Sequence, residues 1–440
     1  MTDQRDLAGD IPATAAEAER LDADFPLTPV PSSARKSGFS IMIVLLGFTV
    51  FTPTMVAGAG LAVSFTWSDF IVVLLVGSLL LGAYVCVIAF LGQRTGLTTV
   101  MMSRFPLGYG GSKLASVLLG GTQIGWYGVV IGTIGDMMAQ AFGWESYAPK
   151  AITMIVVSAF MAATAYFGYN GMYYVSLVAT PLILILAFWL MWRSLDHVGG
   201  FGGLSDVEPT TSMSFAAAVT AIVGTFVSAG TQCANWTRFA RKPSDAVSSA
   251  AIAFFIGNGL MILFGAIGAL AYGEGDFTVL LYQLGLVGWG IFFMFGNLWT
   301  SNADTAYAFG NAGAELFNKP KKGPFIIGGA VIGTALALFG VQNYLIDYLI
   351  LLGIFIPPLG GVLIGDWLAR WRNGQPPVGS ITTALRWQGL VPYVVASALA
   401  YLSSEYGWGI APVNGIIVAG VLAFLLARVG EDTRVAPRSP

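Results

Sequence analysis

The side chains best suited to binding a ligand lie inside apolar stretches of the chain. Gln123 and Trp126 are three residues apart in one such stretch, so a helix carries both on the same face. The amide donates and accepts hydrogen bonds, and the indole offers a flat stacking surface. The pair therefore favours a binding face for a flat neutral molecule. The alternative is plain helix packing, which the small pair Gly121 and Gly125 also fits.

A second polar stretch runs from Asn297 to Asp304 within another apolar run, with adjacent hydroxyls at Thr300 and Ser301. Neutral oxygens of this kind, together with backbone carbonyls, suit a small alkali cation. Asp304 is either a proton site or a carboxylate hydrogen-bonded toward the cytoplasmic side, and we favour the second. Asp136 is expected near the outer end of its run, in a solvated position.

Glycine, proline and hydroxyl residues interrupt two further apolar runs, at 47–60 and at 224–232. Such residues weaken a helix and free backbone carbonyls that hydrocarbon cannot satisfy, so a break there must be buried or line a wet cavity. We predict a broken helix in both places. The alternative for the first is a proline-kinked packing helix.

The predicted cavity is uncharged, being made of amides, hydroxyls and aromatic rings. We find no Lys or Arg at mid-depth, which a phosphate or a charged amino acid would require. With a single histidine and no paired acids, catalysis within the membrane is not expected. The sequence therefore predicts a binding protein that is not an enzyme and has no organic cofactor.

The composition requires a membrane around these side chains. Of the 440 residues, 56% are hydrophobic and only 10% charged, against about 25% charged in a soluble domain. This excludes a soluble enzyme, a nucleic-acid binder and a disordered chain. About twenty apolar residues cross a bilayer, and twelve runs qualify: 38–63, 68–93, 113–141, 148–168, 170–192, 213–235, 247–272, 280–311, 324–340, 343–368, 389–403 and 411–428.

The basic residues indicate the orientation of these spans. With the N-terminus inside, all of the 21 Lys and Arg residues except Lys150 and Arg193 fall on the cytoplasmic side. This asymmetry is what the positive-inside rule requires. We therefore expect a multi-pass protein of a bacterial-type inner membrane with both termini in the cytoplasm. Beyond the lipid bilayer, no obligate protein partner and no nucleic acid is expected.

Corresponding features recur at a nearly constant offset along the chain, which is typical of inverted-repeat transporters. Gly47 and Gly224 are 177 residues apart, and Gln123 and Asn302 are 179 apart. Five spans separate the equivalents, so the second copy is inverted. We predict an all-α fold with a first repeat at 38–192, a second at 213–368 and two extra helices at 389–428. Disordered tails are predicted at 1–37 and 429–440.

Several segments of the chain, taken in order, resemble the bacterial cytosine permeases of the nucleobase:cation symporter family. The specific ones are Gly120–Trp126 and Asn297–Asn302, supported by 31–36, 228–231 and 357–361. The resemblance runs from about residue 30 to the end and implies a LeuT-like fold of twelve helices.

The resemblance also implies sodium-coupled uptake of cytosine by alternating access, with Na⁺ as the coupling ion. Trp126 and Phe226 would sandwich the base. The edge of the base would be hydrogen-bonded by Gln123, Thr225, Ser228 and Asn302. Sodium would be held by the hydroxyls of Thr300 and Ser301 and by backbone oxygens around Gly47, Phe51 and Asn297.

Other interpretations stay open from the sequence alone. Within the family, the substrate could be a purine, hydantoin or allantoin, and the coupling ion a proton. A channel is the alternative from another class, but it needs a polar stripe through the whole membrane depth. Here the polar residues cluster at one level.

Overall fold

Helices build almost the whole of the computed structural model, which describes residues 14–378, 381 and 383–429. Within the described part of the chain, a parallel bridge joins Lys36 to Ala240. Three-residue to seven-residue 3₁₀ or π segments occur at Ser32–Ala34, Ala251–Gly257, Val341–Tyr344 and Trp367–Trp371. The α-helices, in chain order, are α1 Ala15–Leu21, α2 Gly38–Thr49, α3 Thr52–Ala62, α4 Trp67–Thr95, α5 Thr99–Met102, α6 Arg104–Phe142, α7 Tyr147–Tyr166, α8 Gly168–Val198, α9 Gly200–Ser205, α10 Phe215–Thr231, α11 Ala234–Thr237, α12 Pro243–Ala250, α13 Asn258–Tyr272, α14 Phe277–Gln283, α15 Val287–Leu316, α16 Gly323–Leu338, α17 Leu345–Phe355, α18 Pro357–Asp366, α19 Trp387–Tyr406 and α20 Ala411–Leu426.

Each of the twelve apolar runs coincides with a helix or with two consecutive helices. By length and hydropathy, seven helices of the described chain are able to cross a membrane, and the bent pair α2–α3 makes an eighth. Two further helices, α16 and α20, are apolar but shorter. The eighth run, predicted as one span from 280, is divided between two helices. Gly285 adopts a φ of 76° after α14, and α15 begins only at Val287.

The helix order brings most of the charged clusters to one end of the bundle. At this end, the start of α2 meets the end of α11, because the backbone N–H of Lys36 donates to Phe239 O at 2.6 Å. The start of α6 meets the end of α15 at the same end, where Arg104 Nε donates to Glu315 Oε1 at 2.9 Å. We call this end the basic face and the other end the opposite face.

The predicted break in the first span is confirmed. α2 ends at Thr49, Val50 has a ψ of 88° and Phe51 is extended, and α3 leaves at 55° to α2. Pro53 stands in the first turn of α3, where its missing N–H is not needed. The break leaves carbonyls at the end of α2 and N–H groups at the start of α3 without helical partners.

The predicted break in the sixth span, at 224–232, occurs only at the end of that range. α10 continues to Thr231, and the chain leaves the helix only at Gln232 and Cys233 before α11. The hydroxyl of Thr231 donates back to Val227 O at 2.7 Å, so it supports the helix. Gly224 serves packing, because a Cβ there would lie 3.1 Å from the carbonyl oxygen of Leu349.

The disordered tail predicted at 1–37 is wrong for the part that the structure describes. Residues 14–37 include α1 and an extended segment packed under the bundle. Phe25, Leu27 and Val30 are buried there, and their apolar surface provides the reason for the ordering. Residues 1–13, and the predicted tail beyond 429, lie outside the described residues.

Candidate functional site

α6 and α10 bring two of the predicted ligand-binding side chains together. Gln123 Nε2 donates to Ser228 Oγ at 3.2 Å, and the Thr122 hydroxyl lies 2.8 Å from the same oxygen. Gln123 and Ser228 are buried. An amide and two hydroxyls thus form one polar patch inside the bundle, and these groups both donate and accept hydrogen bonds.

Aromatic rings stand around the break in the first span. The Phe51 ring lies 5.6 Å from the Trp126 ring and 5.7 Å from the Phe226 ring, edge-on to both. Trp126 is 7% exposed, so it faces the protein and not the lipid. Trp126 and Phe226 thus contact the same phenyl ring, which places them in one aromatic cluster.

The structure does not join Thr225 and Asn302 to the Gln123 patch by a direct hydrogen bond. The Thr225 hydroxyl donates to Ile222 O at 2.7 Å and accepts from Asn258 Nδ2 at 3.1 Å, which turns it toward α13. Asn302 Nδ2 contacts Met161 Sδ at 3.4 Å, and its Oδ1 has no partner among the described residues. Asn302 therefore keeps a free acceptor, whereas the Thr225 hydroxyl is already engaged.

Four of the five predicted cation ligands converge where α15 crosses the break, whereas the backbone oxygen of Phe51 accepts from Thr54 N at 3.1 Å. Ser301 Oγ lies 3.3 Å from Gly47 O and 3.0 Å from Phe48 O. On α15, the Thr300 and Ser301 hydroxyls lie 3.0 and 3.2 Å from Asn297 O. We call these hydroxyls and carbonyls the oxygen cluster.

The side chain of Asn297, for which the sequence predicts no role, contacts the start of α3. Its Oδ1 accepts from Thr52 N at 2.8 Å and from the Thr52 hydroxyl at 3.0 Å. It therefore caps the start of α3 from another helix, as a side-chain oxygen does at an ordinary N-cap. The backbone oxygen of Asn297, which is the predicted ligand, lies in the oxygen cluster.

The chemistry of the oxygen cluster suits an alkali cation. Its oxygens are hard and neutral, and the end of α2 carries the negative pole of a helix dipole. In the part of the chain that the structure describes, no group of three or more His, Cys, Asp or Glu residues is arranged to hold a metal. A divalent or transition metal would normally need such a group.

Span ten closes the site toward the opposite face. The Tyr348 ring on α17 lies 5.6 Å from the Trp126 ring, and its hydroxyl donates to Thr122 O. Before α17, Gln342 Nε2 donates to Asp136 Oδ2 at 2.9 Å. The side chain of Asp136 is 44% exposed and paired with Lys150, which agrees with its predicted solvated position.

The N-terminal segment closes the basic face. Lys322 Nζ lies 2.7 Å from both Asp22 Oδ1 and Asp24 Oδ2. Burial works against the Lys322 ammonium, but the two carboxylates outweigh it and hold the pKa of Lys322 above its ordinary value. The buried Arg238 guanidinium donates to Asp24 O and Phe25 O, each at 2.6 Å. These bonds tie the segment before α2 to α11 and to the loop before α16.

Sequence reasoning missed three contributors to the site: the Phe51 ring, the Thr122 hydroxyl and Tyr348. Phe51 was assigned for its backbone only, although an aromatic residue next to a predicted break is itself a signal. Gly125 was a second signal, because a glycine leaves room for a neighbouring side chain. A Cβ at this position would overlap the Tyr348 hydroxyl. No pattern along the chain indicates which distant aromatic residue fills that space.

Residues 29–376 match the model of a protein family described as permeases for cytosine/purines, uracil, thiamine and allantoin. The cytosine permease of Escherichia coli K12 is 35% identical over 405 residues, which cover 92% of this chain and 94% of the relative. The hydantoin permease of Microbacterium maritypicum is 22% identical, covering 79% and 76% of the two chains.

Solved structures agree with the fold. MHP1, a nucleobase-cation-symport-1 transporter solved in a closed conformation with bromovinylhydantoin bound, superposes with a TM-score of 0.76. The match covers 91% of this chain and 94% of that one at 17% identity. An inward-facing conformation of the same transporter gives a TM-score of 0.75. The LeuT-like all-α fold predicted from the sequence is thereby confirmed.

Proposed function

Because the chain belongs to this family of nucleobase permeases, and is a membrane transporter and not an enzyme, we propose that it imports cytosine together with Na⁺. The family supports a nucleobase as the substrate. The similarity to the cytosine permease supports cytosine among the nucleobases. The remaining support comes from the chemistry of the site.

Cytosine is flat, uncharged and carries donors and acceptors along one edge. Trp126 and Phe226 supply faces for its ring, and base–aromatic stacking is worth about 1–3 kcal/mol per base. Gln123 and Ser228 supply groups that donate and accept along the edge. Asn302 Oδ1, an acceptor without a partner among the described residues, matches the exocyclic amino group of the base.

One observation carries the proposed coupling: the two sites share the break between α2 and α3. Gly47 gives its carbonyl to the oxygen cluster, and four residues later Phe51 packs against Trp126 and Phe226. A cation that fixes the end of α2 therefore also fixes the Phe51 ring beside the base. Each ligand then favours the same closed arrangement, which is the thermodynamic requirement for coupling.

Transport follows if the two closures open in alternation. Breaking the contacts of Tyr348 would open the site toward the opposite face. Breaking the contacts between Asp24 and Lys322 would open it toward the basic face. The excess of Lys and Arg there supports a cytoplasmic basic face. Release of both ligands to this side gives import.

The test is uptake of radiolabelled cytosine into proteoliposomes, with sodium or choline outside at one fixed pH. We expect saturable uptake that requires sodium and is competed by unlabelled cytosine more strongly than by purines, hydantoin or allantoin. Equal uptake in choline driven by a pH gradient would assign the coupling to protons. Uptake that does not saturate would indicate a channel.

A further inference from the structure

Asp304 differs from the other buried acids of the described chain. It is fully buried on α15, and neither carboxyl oxygen has a hydrogen-bond partner among the described residues. The favoured prediction, a hydrogen-bonded carboxylate, therefore has no hydrogen bond of normal geometry to support it among the described residues. By contrast, Glu315 bonds Arg104, and Asp366 bonds Arg370 and Trp371. An ionised carboxylate buried without a partner is strongly unfavourable, so Asp304 must face a cation or carry a proton.

The position of Asp304 relates it to the oxygen cluster. It follows Thr300 by four residues and Ser301 by three, so the three side chains lie on one side of α15. At 1.5 Å per residue, Asp304 is about 4.5–6 Å further along the helix. α15 ends at the basic face, so Asp304 lies between the oxygen cluster and that face.

α8 contributes two more orphaned groups to the same region. The hydroxyls of Ser176 and Thr180, one helical turn apart, are buried and have no partner among the described residues. Both face Gly47, because a Cβ on Gly47 would clash with the Ser176 side chain and lie 3.1 Å from Thr180 Oγ1. Their free oxygens therefore lie beside Gly47, the residue whose carbonyl takes part in the oxygen cluster.

The groups around Asp304 do not neutralise it. The Trp236 indole N–H of α11 interacts with the carboxyl without normal hydrogen-bond geometry. Tyr169 of α8 has its hydroxyl 3.2 Å from Ser40 Oγ. Arg238, the nearby buried cation, donates to three backbone carbonyls and, at 3.2 Å, to the Tyr307 hydroxyl.

We propose that Asp304 is a second binding station for the monovalent cation, one turn beyond the oxygen cluster toward the basic face. This rests on the proposed sodium coupling. The ion leaves the oxygen cluster past Ser176 and Thr180 and pairs with the Asp304 carboxylate before it reaches solvent. Without the cation, Asp304 holds a proton. That proton leaves to the basic face as Na⁺ arrives and returns from the same face afterwards, so no net proton crosses the membrane.

The test measures the sodium concentration for half-maximal cytosine uptake in Asp304→Asn. We expect at least a tenfold increase, because the attraction of a full charge at this distance is lost. In the wild type the half-saturating concentration should rise as the pH is lowered, because protonation cancels the charge. It should not change with pH in Asp304→Asn. Asp69→Asn, which removes an exposed acid at the start of α4, is the matched control.

A second readout guards against misfolding. Cytosine binding to purified Asp304→Asn at saturating sodium shows whether this variant is folded. In a second variant, Ser176→Ala, the half-saturating sodium concentration should rise by about two- to fivefold, because one oxygen near the ion is lost. Unchanged sodium and pH dependence in folded Asp304→Asn overturns the proposal. Wild-type uptake that does not depend on sodium overturns the sodium coupling itself, and this measurement needs no variant.

Discussion

Replacing Trp126 with alanine tests the aromatic part of the base site. The indole meets the Phe51 and Tyr348 rings at 5.6 Å, at interplanar angles of 70° and 68°, so neither ring is stacked parallel to it. One lost stacking partner is worth about 1–3 kcal/mol, which corresponds to a Kd about 5- to 150-fold higher. Trp126→Phe keeps a ring and should lose less than about fivefold.

The measurement is equilibrium binding of radiolabelled cytosine to purified protein at saturating sodium, with a melting curve for each variant. Trp192→Ala is the matched control, because Trp192 is 60% exposed on the outer surface of α8. It should leave the Kd unchanged. A folded Trp126→Ala protein that binds cytosine within twofold of the wild type would refute the stacking role.

Three further predictions concern the cation and the two closures. Thr300→Ala should raise the half-saturating sodium concentration about tenfold or more, with cytosine affinity at saturating sodium unchanged, as measured by uptake titrations. Tyr348→Phe loses a hydrogen bond worth about 0.5–1.5 kcal/mol, so cytosine binding should weaken about two- to tenfold by populating open states. Asp24→Asn weakens the pairing with Lys322 and should open the basic face more often. In a Cys86→Ser background, maleimide should then label the buried Cys233 faster. An unchanged labelling rate would show that this ion pair does not control closure of the basic face.

Hydropathy located the spans because the requirement it reports is a property of single segments. Each helix must carry its own apolar length, and the twelve runs therefore matched helices to within a few residues at most ends. The break at Val50 and Phe51 was equally local, since Gly47 and Pro53 flank it. The pairing of Gln123 with Ser228 needed only that two polar faces meet inside lipid.

Long-range packing explains what the sequence did not reveal. Gly224 and Gly47 look alike as helix breakers, but Gly224 admits the backbone of Leu349 from span ten and its helix stays intact. Whether a glycine breaks a helix or admits a neighbour depends on that neighbour. The ordering of residues 14–37 likewise depends on partners far along the chain, such as Arg238 and Lys322.

α15 links the parts of the proposed mechanism. Within eight residues it caps α3 through Asn297, offers the hydroxyls of Thr300 and Ser301, presents Asn302 and places Asp304 toward the basic face. A rigid helix moves all of these groups together, so a conformational change must occur between α15 and the broken pair α2–α3. The cation would bind across that boundary and hold the two sides together. Its departure toward Asp304 would remove the link first at the basic face, and the contacts of the base with α2–α3 would loosen in consequence.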